Sequence, residues 1–262
     1  MSAIRLVTAL ALAAALAGGC AAKSALLPAG TVDADKFLYE RGTGAAKDRK
    51  WLNAREYLRN LVDNYPQSPY RPDAKLALGD TYLGEGTTES LLLGANEFRE
   101  FLTFYPTHQR ADYAQLQLAK TFMEQMLAPE RDQSATKDAI KEIEIFLQRF
   151  PNSALMPEAR KMEREARDRL SEANYKVGYY YFRIKWDPGA IDRFKDVLAT
   201  DPGYSNRDAV YYHLAEILYR TEKKAEALPY YERLLREFEK SEYLELAQKR
   251  VAELKGGSPA GK

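Results

Sequence analysis

The chain predicts an all-α fold, an α-solenoid of about five helix-turn-helix repeats. Two observations carry that expectation. The first is a recurring turn: Tyr65-Pro66, Tyr105-Pro106 and Phe150-Pro151, with a fourth at Asp201-Pro202 that lacks the aromatic and a fifth at Phe238-Glu239 that lacks the proline. The second is the register that precedes each turn. Small residues recur twelve positions before it (Ala54, Gly94, Ala139, Ala190, Ala227). Large apolar ones follow at Leu58, Phe98, Ile143, Phe194 and Tyr231, then at Leu61, Phe101, Phe146, Val197 and Leu234. That spacing marks one face of a helix, and proline, which has no amide to donate, ends it.

A partner helix stands upstream of each. Gly42 lies twelve before Ala54, Gly178 twelve before Ala190 and Ala215 twelve before Ala227. Small residues at both points let two antiparallel helices approach closely. The unit resembles the tetratricopeptide repeat. In the second and third units the pairs are Gly79 with Gly94 and Ala119 with Ala139, so insertions are expected in the loops Leu83 to Leu92 and Ala128 to Thr136. Such units bury their apolar faces only by stacking, which also builds a groove.

In order along the chain, residues 1–19 read as an export signal: Arg5, an apolar run from Leu6 to Leu16, then Ala17, Gly18 and Gly19. The run is too short to cross a bilayer as a helix. Leu16-Ala17-Gly18-Gly19-Cys20 resembles the bacterial lipobox, with Ala17 where leucine is usual. Cys20, the only cysteine, is then the lipid-attachment residue, and the exported chain folds without a disulfide. Ala21, not aspartate, resembles an outer-membrane address. Residues 20–33 read as the lipidated N-terminus and tether.

Helices are expected near 34–46, 50–64, 70–84, 90–104, 109–127 and 134–149, forming repeats 1–3 within residues 34–153. A long helix at 154–184 begins the segment 154–255, followed by helices at 187–200, 206–221, 224–237 and 241–255 in repeats 4 and 5. Gly256 to Lys262 is expected to be a disordered tail.

Composition bounds the partners. Without Arg5, 38 basic residues stand against 38 acidic ones, with no polybasic run, which argues against nucleic acid. The eighteen tyrosines cluster at Tyr179-Tyr180-Tyr181, Tyr211-Tyr212 and Tyr230-Tyr231, where helical spacing points to core or groove lining. Catalytic and cofactor signals are weak. His108 and His213 lack the neighbours of a zinc site. Ser134-Ala135-Thr136-Lys137 fits S-x-x-K without its companion motifs, and Ser134 is the expected helix N-cap. Gly42-Thr43-Gly44 and Gly84-Glu85-Gly86 lack the strand-to-helix context of a phosphate loop. No metal, no cofactor and no enzyme is expected.

The turns Tyr65-Pro66-Gln67-Ser68-Pro69-Tyr70, Tyr105-Pro106-Thr107-His108 with Asp112-Tyr113, and Phe150-Pro151-Asn152-Ser153 resemble those of the BamD family, as does Asn174 to Tyr180 through Trp186. These are lipoproteins of the outer-membrane β-barrel assembly (BAM) machinery. The resemblance implies a non-enzymatic adaptor at the periplasmic face of the outer membrane. It would bind the periplasmic domains of BamA, other BAM subunits and unfolded outer-membrane proteins. It also places the family's BamA-pairing arginine at Arg193 and its substrate-contacting tyrosine at Tyr65, with Tyr70 beside it. The family's arginine next to the first-repeat tryptophan is Leu52 here, after Trp51. Another envelope repeat lipoprotein, a pilus-assembly pilot or a Tol-Pal-associated division factor, is the alternative.

Overall fold

The structure, a computed structural model, describes residues 26–27 and 31–256. The export signal, Cys20, most of the tether and the last six residues lie outside them. Among the described residues there are eleven helices and no strand: α1 (Ala34–Lys47), α2 (Trp51–Asn64), α3 (Arg71–Glu85), α4 (Thr88–Phe104), α5 (Ala111–Met123), α6 (Ser134–Arg149), α7 (Met156–Arg183), α8 (Asp187–Thr200), α9 (Arg207–Arg220), α10 (Lys224–Glu237) and α11 (Leu244–Leu254). The all-α repeat architecture predicted from the turns is the one found. The chain divides into two compact units, one ending at Ala77 and one beginning at Leu78, and each is described by itself.

The repeating register is the core. All of the small and large residues of that pattern, from Ala54, Leu58 and Leu61 to Ala227, Tyr231 and Leu234, are buried. The upstream small residues explain how. In the first unit a Cβ on Gly42 would lie 2.6 Å from Cγ of Leu58; in the second, one on Gly79 would lie 2.7 Å from the Phe98 ring and one on Gly178 2.8 Å from Phe194. Each glycine is therefore a socket for the large residue of the partner helix.

The spacing of twelve also has a turn behind it. Three hairpins join their helices through one residue in the left-handed region: Arg49 (φ 57°), Lys185 (φ 61°) and Glu222 (φ 61°). After each, the next amide reaches back to the last turn of the helix: Lys50 N to Ala45 O (2.9 Å), Trp186 N to Tyr181 O (2.9 Å) and Lys223 N to Leu218 O (2.8 Å). The amides of Arg49, Lys185 and Glu222 bond Ala46, Phe182 and Tyr219. This is the Schellman pattern, which satisfies carbonyls that the helix end leaves free.

The second and third hairpins differ. The expected loop insertion at Leu83 to Leu92 is mostly helix instead. α3 runs to Glu85, Gly86 turns the chain at φ 71°, and the Thr87 side chain caps α4 by accepting from the Ser90 amide at 3.2 Å. In the third, α5 stops at Met123, short of the expected 127, and the segment to Gln133 is irregular. Ser134 is not the cap expected of it. It is the first residue of α6; its amide donates to Asp132 (3.0 Å), while Gln133 accepts from the Thr136 hydroxyl (2.8 Å). The long helix is continuous as expected. Its 28 residues span about 42 Å and serve both the third and fourth repeats.

Candidate partner-binding surfaces

Tyr65 and Tyr70 share the turn between α2 and α3 in the first unit. Tyr65 closes α2, its amide donating to Leu61 O at 3.0 Å, and its ring is half-buried. Tyr70 lies stacked on Tyr39, with centroids 5.3 Å apart and planes 19° from parallel. The turn is braced from both sides. The Ser68 hydroxyl donates to Asp35 at 2.6 Å and accepts from the Tyr70 amide at 3.1 Å, and Arg71 Nε donates to Val62 O at 2.9 Å. Both tyrosines are half-buried, on a turn held by these bonds. Trp51 is half-buried, whereas Leu52 beside it is 75% exposed.

Arg193 belongs to the second unit. It lies on the exposed side of α8, one residue before the buried Phe194. Its Cβ would be 3.1 Å from a Cβ on Gly178, so the side chain leaves the surface where α8 crosses α7. Among the described residues no carboxylate forms an ion pair with it, although Asp192 and Asp196 line the same 560 Å³ hollow. Trp186, four positions before Ala190, forms the rim of that hollow. Its ring meets Tyr181 edge to face at 4.5 Å and lies so close over the backbone of Gly189 that a Cβ there would be 2.7 Å from it. Trp186 nevertheless remains 51% exposed.

Sequence reasoning singled out Arg193 but not its apolar surroundings. Val177 and Tyr180 on α7 and Ile184 just past its end, at helical spacing, are exposed, and Tyr180 is 60% so. The spacing of the tyrosine run predicts core or groove lining. Tyr179 and Tyr181 are half-buried, but the middle ring faces outward. The i, i+3, i+7 pattern of Val177, Tyr180 and Ile184 was the available signal for a second apolar face on that helix.

The turn after the fourth repeat is another residue set that the pattern missed. Asp201, where an aromatic was absent, is 7% exposed. It is gripped by both terminal nitrogens of Arg164, one at 3.0 Å, and by the Ser171 hydroxyl at 2.7 Å. Burial alone would raise its carboxyl pKa, but the hydrogen bonds from Arg164 and Ser171 outweigh burial and hold it below 3.8. Asp80 shows the opposite balance. Tyr113 (3.0 Å) and Gln117 (3.1 Å) donate to it, yet burial dominates and raises its pKa. Among the described residues no cluster of His, Cys, Asp and Glu could hold a metal ion, and no helix is long and apolar enough to cross a membrane.

Stacked helical hairpins with glycine sockets, rigid turns and outward-facing aromatic and cationic side chains define a repeat scaffold of the tetratricopeptide class. The chain belongs to the YfiO family, described as outer membrane lipoprotein, whose match spans residues 32–225. It is similar to the outer membrane protein assembly factor BamD of Caulobacter vibrioides, 28% identical over 182 residues, covering 69% of this chain and 58% of that protein. The BamD of Vibrio cholerae is 27% identical over 175 residues, covering 63% of this chain and 71% of that one. The chain therefore spans less than two thirds of the Caulobacter relative. Among solved structures, a tetratricopeptide repeat protein from Parabacteroides merdae overlaps with a TM-score of 0.38 at 13% identity, covering 86% of this chain and 88% of that one. A MamA protein overlaps at 0.36 and 14%, covering 79% and 97%. Those overlaps carry no argument about function; the repeat assignment stands on the buried register and the turns.

Proposed function

We propose that this chain is a non-enzymatic adaptor that helps assemble proteins into the outer membrane, held at the periplasmic face by a lipid on Cys20. The family description and the relatives' names support the assembly role. The observation that carries the partner assignment is Arg193: an exposed guanidinium without an ion-pair partner among the described residues, bordered by the half-exposed Trp186. Tryptophan and arginine are the residues most enriched where binding energy concentrates, and an unpaired cation beside an indole suits a carboxylate with an apolar neighbour. On this reading Arg193 pairs with an acidic side chain of BamA. Tyr65 and Tyr70 offer braced aromatic faces to an extended, unfolded barrel protein, which apolar pockets and polar rims can hold without strict sequence demands. Anchoring on the same membrane raises local concentration, so each contact need only be weak.

The test is co-purification in mild detergent. BamA is expected to come with the wild-type chain, and Arg193→Glu is expected to reduce its recovery at least tenfold while leaving helical content unchanged. Recovery of pilus-assembly or Tol-Pal components without BamA would replace this reading with the alternative.

A further inference from the structure

We infer that His213 is an acid-sensitive latch in the last described repeat: protonating its imidazole loosens α11 from α9. His213 sits in α9 and is 6% exposed. Six aromatic rings surround it, from four parts of the chain. Tyr175 (6.0 Å between centroids), Tyr179 (5.1 Å) and Phe182 (4.9 Å) come from α7, and Phe194 (6.1 Å) from α8. Tyr212 (5.3 Å) is its neighbour on α9, and Tyr243 (5.5 Å) stands immediately before α11.

The hydrogen bonding sets the proton. Nδ1 is 2.6 Å from Ala209 O, and a carbonyl only accepts, so Nδ1 carries hydrogen. The Tyr175 hydroxyl is a more distant neighbour of the same nitrogen, at 3.3 Å. Nε2 is then the basic nitrogen, and among the described residues it has no hydrogen-bond partner. A second proton would place a cation among rings with little access to water, which is costly.

The charged groups facing this site do not relieve that cost. On α9, Glu216 is held by two Arg250 bonds (2.8 and 3.1 Å) and by the Tyr231 hydroxyl (2.5 Å), the first from α11 and the second from α10. Glu242, before α11, is exposed, and Asp208 lies at the start of α9. On α7, Glu172 accepts from the Tyr204 hydroxyl. Burial therefore prevails over the Ala209 bond and over Glu216 and Glu242, and the imidazole pKa falls below 6.5. A group depressed in the folded state contributes stability that is complete above 6.5 and lost as the pH falls toward its folded value. The element released first is α11, the last described helix. It is fastened to this core by Tyr243, stacked on Tyr212 at 4.5 Å and 15°, and by Arg250.

With only two histidines in the chain, the test is direct. The C2–H resonance of His213 in the full chain is expected to titrate below 6.5. Hydrogen exchange, corrected for intrinsic rates, should show α11 opening increase by up to about tenfold per pH unit below that point. In His213→Gln, which keeps a donor for Ala209 O but does not titrate, the opening should be flat. A His213 signal titrating at or above 6.5 would overturn the latch, and so would equal acid-opening in the variant. The titration needs no variant, so it decides even if His213→Gln folds poorly.

Discussion

At the close of the third hairpin the Phe150 ring lies 5.7 Å from Phe146, and Ser153 donates to Asp112 at 2.6 Å. One repeat later a carboxylate takes the ring's place: Asp201 binds Arg164 and Ser171, both on α7. The direction of the serine bond is reversed as well. Ser153 reaches from the turn to a helix aspartate, while Ser171 reaches from the helix to a turn aspartate. The first clip joins an apolar ring contact to one serine–carboxylate hydrogen bond. The second rests on charge within a nearly buried site, so its strength depends on ionisation and on each partner being present. A repeat position can thus be kept with its chemistry inverted, provided that the neighbouring helix is inverted to match.

The largest effect should come from breaking the charged clip. Asp201→Ala leaves Ser171 without its acceptor and Arg164 with the Asp168 carboxylate alone, at 2.9 Å. Removing one member of a buried pair costs about 3–5 kcal/mol, and because Arg164 is a third exposed, water reduces this to about 2–3 kcal/mol. Urea unfolding would measure it; a loss below about 0.5 kcal/mol would mean that the clip is ornamental. The same variant sharpens the comparison when pH is varied. The folded carboxyl is held below 3.8, so its contribution is present above that value and is lost as pH falls through and below it. The stability gap between wild type and Asp201→Ala should therefore close in acid. Phe150→Ala comes next, at about 1.5–2 kcal/mol for a half-buried ring, with a gap that does not close in acid. The smallest effect concerns the hairpin turns. Lys185→Gly removes a left-handed lysine and should raise stability by a few tenths to about 1 kcal/mol, read as a small upward shift in Tm.

Much of this architecture was legible in the chain. The small-to-large register named the buried residues because helix periodicity and socket packing act on side-chain volume, which sequence records directly. The turns were less legible. Arg49, Lys185 and Glu222 take a conformation usually signalled by glycine, and only the hydrogen bonds to the preceding helix reveal it. The segment Leu83 to Leu92 reads as a loop insertion from the extra residues between paired positions; Thr87 capping makes most of it helix. Asp201 looked like a defect in the motif, since its compensating partners lie 37 and 30 positions upstream. At the surface, Arg193 and the turn tyrosines were visible through resemblance. Trp186 and Tyr180 fall within the resembling segment, but their exposure within an aromatic-rich run cannot be read from composition.

The unbroken α7 has one more consequence. A helix advances about 100° and 1.5 Å per residue, so every side chain on it shares a single rotational phase. Its earlier part carries Ala159, Met162 and Ala166 into the packing of the third repeat, and its later part carries Ser171 and Gly178 to the fourth. Deleting one residue between Ala166 and Ser171 would swing the Gly178 socket about a quarter-turn away from Phe194. A helix of this kind tolerates changes in length only near whole turns. The two repeats it joins are geared together, and their spacing can evolve only in clicks.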